Sequence, residues 1–174
     1  SINGGSLNLS TGSNHSINTF NLTGTSYFDG SDDLTANGLL DWSTSGLDYN
    51  NRSRIRTSGT VTGAGGMTLS GAGYKELGTL PTLVNQSGQP ANWTEGRIQI
   101  DGTFINEAGA TFNSAPISES RYEVIGSGAF NNQGDFISTG SGTSFEATFN
   151  NSGFVDVQSG TLYLRGGGTH TGDF

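Results

Sequence analysis

Apolar residues along this chain come in short alternating clusters separated by Gly, Ser, Asn and Thr. Leu7 and Leu9, Phe20 and Leu22, Leu40 and Trp42, and Met67 and Leu69 each flank one polar residue. The same alternation runs from Arg97-Ile98-Gln99-Ile100-Asp101-Gly102-Thr103-Phe104 towards the C-terminal end. A period of two with one apolar side predicts short β-strands, and no long helical pattern is present. Gly63, Gly65, Gly66, Gly71 and Gly73 mark corners between strands.

The clusters also repeat. Phe130-Asn131-Asn132-Gln133-Gly134-Asp135-Phe136 returns as Phe149-Asn150-Asn151-Ser152-Gly153-Phe154-Val155, and a looser copy runs from Phe104-Ile105-Asn106 through Gly109 to Phe112. The Phe-to-Phe steps are 26 and 19 residues. Such drift suits a solenoid whose strands keep register while its turns vary in length. The expected fold is all-β: one right-handed, single-stranded parallel β-helix (β-solenoid) over 1–174, with about seven or eight rungs at about 4.8 Å per rung. In that coil Phe104, Phe130 and Phe149 stack inside, and Asn106, Asn132 and Asn151 form an amide ladder at a corner. Gly109, Gly134 and Gly153 would supply the left-handed or bulged backbone that a sharp corner needs. An antiparallel sandwich would instead call for longer strands joined by Asn-Gly or Asp-Gly turns.

Residues 74–97 interrupt the pattern. Pro81, Pro90, the polar run Asn85-Gln86-Ser87-Gly88-Gln89 and Trp93 predict an irregular loop excursion from the solenoid wall. A smaller break surrounds Pro116, after which Tyr122, Val124 and Ile125 read as the next strand. The chain opens at Ser1 without Met and stops at Phe174, where another Phe-led rung would begin, so the expectation is a segment of a longer protein.

Gly66-Met67-Thr68-Leu69-Ser70-Gly71-Ala72-Gly73, and Gly160-Thr161-Leu162-Tyr163-Leu164-Arg165-Gly166 through Thr169-His170-Thr171-Gly172, resemble the short repeats of autotransporter passengers and giant bacterial surface adhesins. The resemblance is closer over 100–174 than over the first half. It implies a β-solenoid at the bacterial cell surface, serving in adhesion or as a stalk.

Composition narrows the partners. The net charge of −8 and pI near 4.4 repel nucleic acid and anionic membranes. No run of residues is apolar and long enough to insert in a membrane. The absence of cysteine removes disulfides, thiolate metal sites and cysteine nucleophiles. Gly, at 29 residues, and the scarcity of charge, at 13%, fit many tight turns between small strands.

Three constellations are candidates for chemistry. Arg52, Arg54 and Arg56 share one strand face by their period-two spacing, with Trp42 and Tyr49 nearby in sequence. Guanidinium groups pair with carboxylate or sulfate and aromatic rings stack on sugars, so an acidic glycan is one candidate ligand; a strand face balanced by acidic neighbours is the plainer reading. Tyr74, Lys75, Glu76, Trp93, Glu95 and Arg97 form a second set on the expected loop, where Glu95, Arg97 and Asp101 are candidates for polysaccharide cleavage and Trp93 for plain packing. Asp29, Asp32 and Asp33 offer oxygen ligands for calcium, although the sequence lacks a twelve-residue calcium loop and an ordinary solvated turn explains it as well. His15 and His170 have no ligand cluster around them, and no phosphate loop, dinucleotide fingerprint or nucleophile elbow is present.

The expected function is therefore non-enzymatic: a structural or adhesive segment of an extracellular bacterial surface protein. Its partner would be a surface glycan, a receptor on a host or neighbouring cell, or further copies stacked through solenoid ends. A glycan-binding or polysaccharide-degrading module is the alternative. Ice binding through a threonine array ranks lower, because Thr57, Thr60, Thr62 and Thr68 do not keep a strict rung spacing.

Overall fold

Each strand pairs in parallel with the third strand after it along the chain, so every rung contributes one strand to each of three sheets. This is a parallel β-solenoid of about seven turns. The computed structural model describes residues 1–45, 51–115 and 123–174. Sheet A stacks Ile2–Asn3, Phe20–Thr23, Leu40–Ser43, Met67–Ser70, Pro90–Trp93, Thr111–Ser114, Asp135–Ser138 and Phe154–Val157. Sheet B stacks Ser6–Leu9, Tyr27–Gly30, Arg52–Ile55, Tyr74–Leu77, Arg97–Ile100, Glu123–Ile125, Thr143–Phe145 and Leu162–Leu164. Sheet C holds, among the described residues, seven strands: His15–Ile17, Leu34–Ala36, Thr60–Gly63, Thr82–Asn85, Thr103–Asn106, Ala129–Asn132 and Thr148–Asn151.

Alternation decides which side chains enter the core, and register decides what each one meets there. On sheet C, Leu34, Val61, Leu83, Phe104, Phe130 and Phe149 fall in one inward column. The rings of Phe104 and Phe130 stack at 4.9 Å, and those of Phe130 and Phe149 at 5.5 Å. On sheet A, Phe112 and Phe136 make a second stack at 5.5 Å whose members meet the first stack edge-on. Beside the first stack runs the asparagine ladder. Asn85 Nδ2 donates to Asn106 Oδ1 at 2.8 Å, Asn106 to Asn132 at 2.9 Å, and Asn132 to Asn151 at 2.8 Å. Each of the first three amides also donates to the carbonyl that opens the next sheet A strand, at Thr111, Asp135 and Phe154. The ladder starts at Asn85 because the register position below is Gly63, and Asn85 Oδ1 is left buried without a donor.

The corner glycines divide into two kinds. Gly109 is left-handed, with φ +81°, as the sequence leads one to expect. Gly134 and Gly153 are not. There the need is space: a Cβ would lie 2.2 Å from Ala110 O at Gly134 and 2.1 Å from Gly134 O at Gly153. The two kinds follow from turn length, since four residues separate Asn106 from Thr111 but only two separate Asn132 from Asp135.

Residues 74–97 are not an excursion. Tyr74–Leu77, Thr82–Asn85 and Pro90–Trp93 are paired in register with the rungs on both sides. Pro81 sits in the corner before Thr82, and Pro90 opens its strand, where a missing N–H is tolerated. The longer steps along the chain from a sheet A strand to the next sheet B strand lie elsewhere, from Ser43 to Arg52 and from Ser114 to Glu123, whereas three residues separate Ser70 from Tyr74 and Trp93 from Arg97. Tyr49, Pro116 and Tyr122 lie outside the described residues, while Val124 and Ile125 stand on the strand Glu123–Ile125.

Candidate functional site

The three arginines do share a face. Arg52 and Arg54 alternate on the strand Arg52–Ile55 with the inward, buried Ser53 and Ile55, and Arg56 follows them; Arg52 is itself largely covered, at 7% exposed. Their charges meet partners on adjoining rungs. Glu76, placed beside Arg54 by the strand register, receives bonds from Arg52 Nη1 and from Arg54 Nε, the latter at 3.0 Å. Arg56 makes a two-point pair with Asp29 at 2.8 and 3.0 Å. Tyr27 lies against two of the guanidinium groups, 4.4 Å from Arg56 and 5.2 Å from Arg54, and its hydroxyl accepts from Arg54. The pattern continues upward, where Arg97 stacks on Tyr74 and pairs with Glu123 at 2.5 Å. Opposite charges in adjacent rungs thus turn the stripe into a cross-rung lattice, the balanced face rather than an open cationic one. A depression of about 230 Å³ beside it is lined by Arg56, Glu76, Gly78, Thr79, Leu80 and Asp101.

The tryptophans are in the core. Trp42 and Trp93 are 1% and 0% exposed, so neither presents a ring to a sugar on the surface. Both occupy one inward column of sheet A, in which Trp42 pairs with Leu69 and Leu69 with Trp93. The spacing Leu40-Asp41-Trp42 already puts Trp42 on the face of Leu40; proximity to the arginines along the chain misleads because a corner intervenes. Trp42 Nε1 donates to the buried Ser53 Oγ, and Trp93 Nε1 to Glu95 O and Gly96 O at 3.2 and 3.0 Å.

Lys75, the chain's single lysine, also points inward and is fully buried. Its Nζ donates to Gly71 O and Glu95 O, both at 2.9 Å, and to Gly73 O at 3.4 Å. Three carbonyls for three ammonium protons tie together the A-to-B corners of two consecutive rungs. Burial pushes the amine down to about 7 from 10.5, with the charge of Glu95 opposing that fall. Glu95 and Asp101 do not converge as an acid and base pair. They stand beyond opposite ends of the extended strand Arg97–Ile100, whose three steps alone span about 10 Å at the rise of a β-strand, more than the separation that glycoside cleavage requires. Asp101 instead accepts from Gln99 Nε2 at 2.6 Å and from Ser127 N at 3.0 Å.

The acidic turn is likewise occupied by protein donors. Asp32 accepts from Thr11 N, Thr11 Oγ1, Gly12 N and His15 Nε2 at 2.6 to 3.1 Å. These bonds, led by that of the Thr11 amide, hold its carboxyl far below the usual carboxylate range. Asp33 accepts from Thr60 N at 2.7 Å, and Asp29 is paired with Arg56. A ring of N–H and O–H donors repels a cation rather than ligating one. Thr11, His15 and Asp32 do not form a catalytic relay, since Thr11 Oγ1 and Asp32 Oδ2 both contact the same ring nitrogen, Nε2. His170 lies at the other end of the solenoid, 6.2 Å from Phe149 between ring centroids.

The outer face of sheet C differs from that of sheet B. One column holds Thr60, Thr82, Thr103, Ala129 and Thr148; its neighbour holds Thr62, Val84, Ile105, Asn131 and Asn150. Neither contains a charge. Sequence spacing hides this array because its steps are 22, 21, 26 and 19 residues. Thr68 lies instead on sheet A, and Thr57 is buried in a corner, bonded to Asp32 O.

Comparison of the chain with protein-family models, with curated proteins and with solved structures finds no match.

Proposed function

We propose that this chain is a structural and adhesive segment of an extracellular bacterial surface solenoid. One observation carries the reading: chemistry-bearing side chains are spent on holding one rung to the next. Glu76, Asp29, Asp32 and Lys75 all bind groups on other rungs, and the Phe and Asn columns do the same inside. A scaffold that resists separation of its rungs suits a stalk, and the resemblance of its glycine-bounded repeats to surface adhesins supplies the location. The test is antibody labelling of intact and permeabilised cells of the source, together with retention of beads coated with the segment on cell layers under flow. Labelling of intact cells and retention above uncoated beads are expected. Labelling confined to permeabilised cells overturns the location, and bead retention equal to the uncoated control overturns the adhesive role.

A further inference from the structure

Sheet C carries a surface that the stalk reading does not use. From the rung of Thr60 to that of Thr148, its two outer columns hold no ionisable side chain, in a protein of net charge −8. Thr60, Thr82, Thr103 and Thr148 are all partly exposed, and none of their hydroxyls has an intramolecular hydrogen bond among the described residues. Sheet B, built on the same rungs, pairs almost every polar group it displays. Thr62 and Ile105 add methyl groups beside the hydroxyl column, with Val84 buried between them. Immediately behind, the phenylalanine stack backs the sheet. The rings of Phe104 and Phe130 lie within 19° of parallel, and those of Phe130 and Phe149 within 4°.

We infer that this face is an ice-binding surface. Hydroxyls recur about every 4.8 Å along the solenoid axis from Thr60 through Thr82 to Thr103, and Thr62 adds one about 6.6 Å along its strand from Thr60. That is a row of hydroxyls spaced on the order of the oxygen rows of ice, and the methyl groups of Thr62 and Ile105 beside it hold the intervening water without competing for hydrogen bonds. The absence of charge selects an uncharged partner. The absence of exposed aromatic rings between the columns disfavours a crystalline glycan, which aromatic faces bind by stacking. Ala129 interrupts the hydroxyl column at one rung only.

The experiment partitions the protein between a slowly grown ice layer and the remaining liquid, with thermal hysteresis read on the same samples. Several-fold enrichment in ice over a control protein of similar size is expected, falling to the control level in Thr103→Lys. Thr68→Lys, on the outer face of sheet A, should partition as the unaltered chain does. Thr82→Lys repeats the test should Thr103→Lys fail to fold by circular dichroism. Exclusion of the unaltered protein from ice overturns the inference, as does equal loss in Thr103→Lys and Thr68→Lys. Dimers abolished by Thr103→Lys, without ice uptake, would assign the face to a second copy instead.

Discussion

The two halves of the solenoid fill the same cross-section in different ways. From Phe104 upward, like stacks on like: phenylalanine on phenylalanine, asparagine on asparagine. Below, residues fit by complement. Trp42 and Trp93 fill the inner column of sheet A, and the facing column of sheet B is polar there, with Ser53 and Lys75. Higher up, Ser114 and Ser138 replace the tryptophans, and Val124 and Phe145 take the sheet B column. The large side chain moves from the sheet A column to the sheet B column between Trp42 and Phe145, as close packing allows. A solenoid core can thus be specified by repetition or by compensation.

The sharpest test of that equivalence is truncation in each half. Phe130 touches the rings of Phe104, Phe112, Phe136, Phe145 and Phe149, and Phe130→Ala is expected to cost about 3–5 kcal/mol in urea unfolding. Trp42→Ala should cost a similar amount. Phe130→Leu, which keeps most of the volume, should lose less, about 0.5–1.5 kcal/mol, for the ring geometry it gives up. A cost of truncation confined to one half would break the comparison.

Lys75→Met gives the next largest effect, and its signature is a pH slope. The native amine titrates near 7 and the unfolded one near 10.5, so between these values the unfolded chain binds more protons. Stability of the unaltered protein therefore rises with pH across that window, by a few kcal/mol at most, and is lowest below it. The Met variant should lack that component, measured as urea midpoints at about pH 6 and about pH 10. Equal slopes in both proteins would show that the three carbonyls hold the ammonium as well as water does.

Asn132→Ala should cost about 1–3 kcal/mol, because it strips the donor from the buried Asn151 Oδ1 and from two corner carbonyls. Chemical denaturation reads this directly. Asn85→Ala should cost less, since Asn85 Oδ1 already lacks a partner. Smallest is Arg56→Ala: its pair with Asp29 is open to solvent, and a loss below about 1 kcal/mol in thermal unfolding is expected.

The same contrast explains what could be read from the residues alone. Repetition is visible in a sequence, so the Phe104, Phe130 and Phe149 stack and the ladder of Asn106, Asn132 and Asn151 were legible before any coordinates. Compensation is not: nothing local to Trp93 announces that it shares an acceptor with Lys75, and the complete rung at 74–97 resembles none of its neighbours closely enough to be recognised. Asn85 belongs to the ladder, yet Pro90 and the polar run beside it masked the match with Asn106. The arginine face followed from alternation, but its neutralisation by Glu76 and Asp29 depends on register across rungs of 22 and 27 residues, which varying loops conceal. The threonine column was hidden for the same reason.

Placing the only lysine inside has a chemical consequence for the outside. No side-chain amine reaches the solvent while the fold holds, so glycating sugars, acylating reagents and aldehyde fixatives meet no lysine on it, and a protease that cuts after lysine must wait for the rung to open.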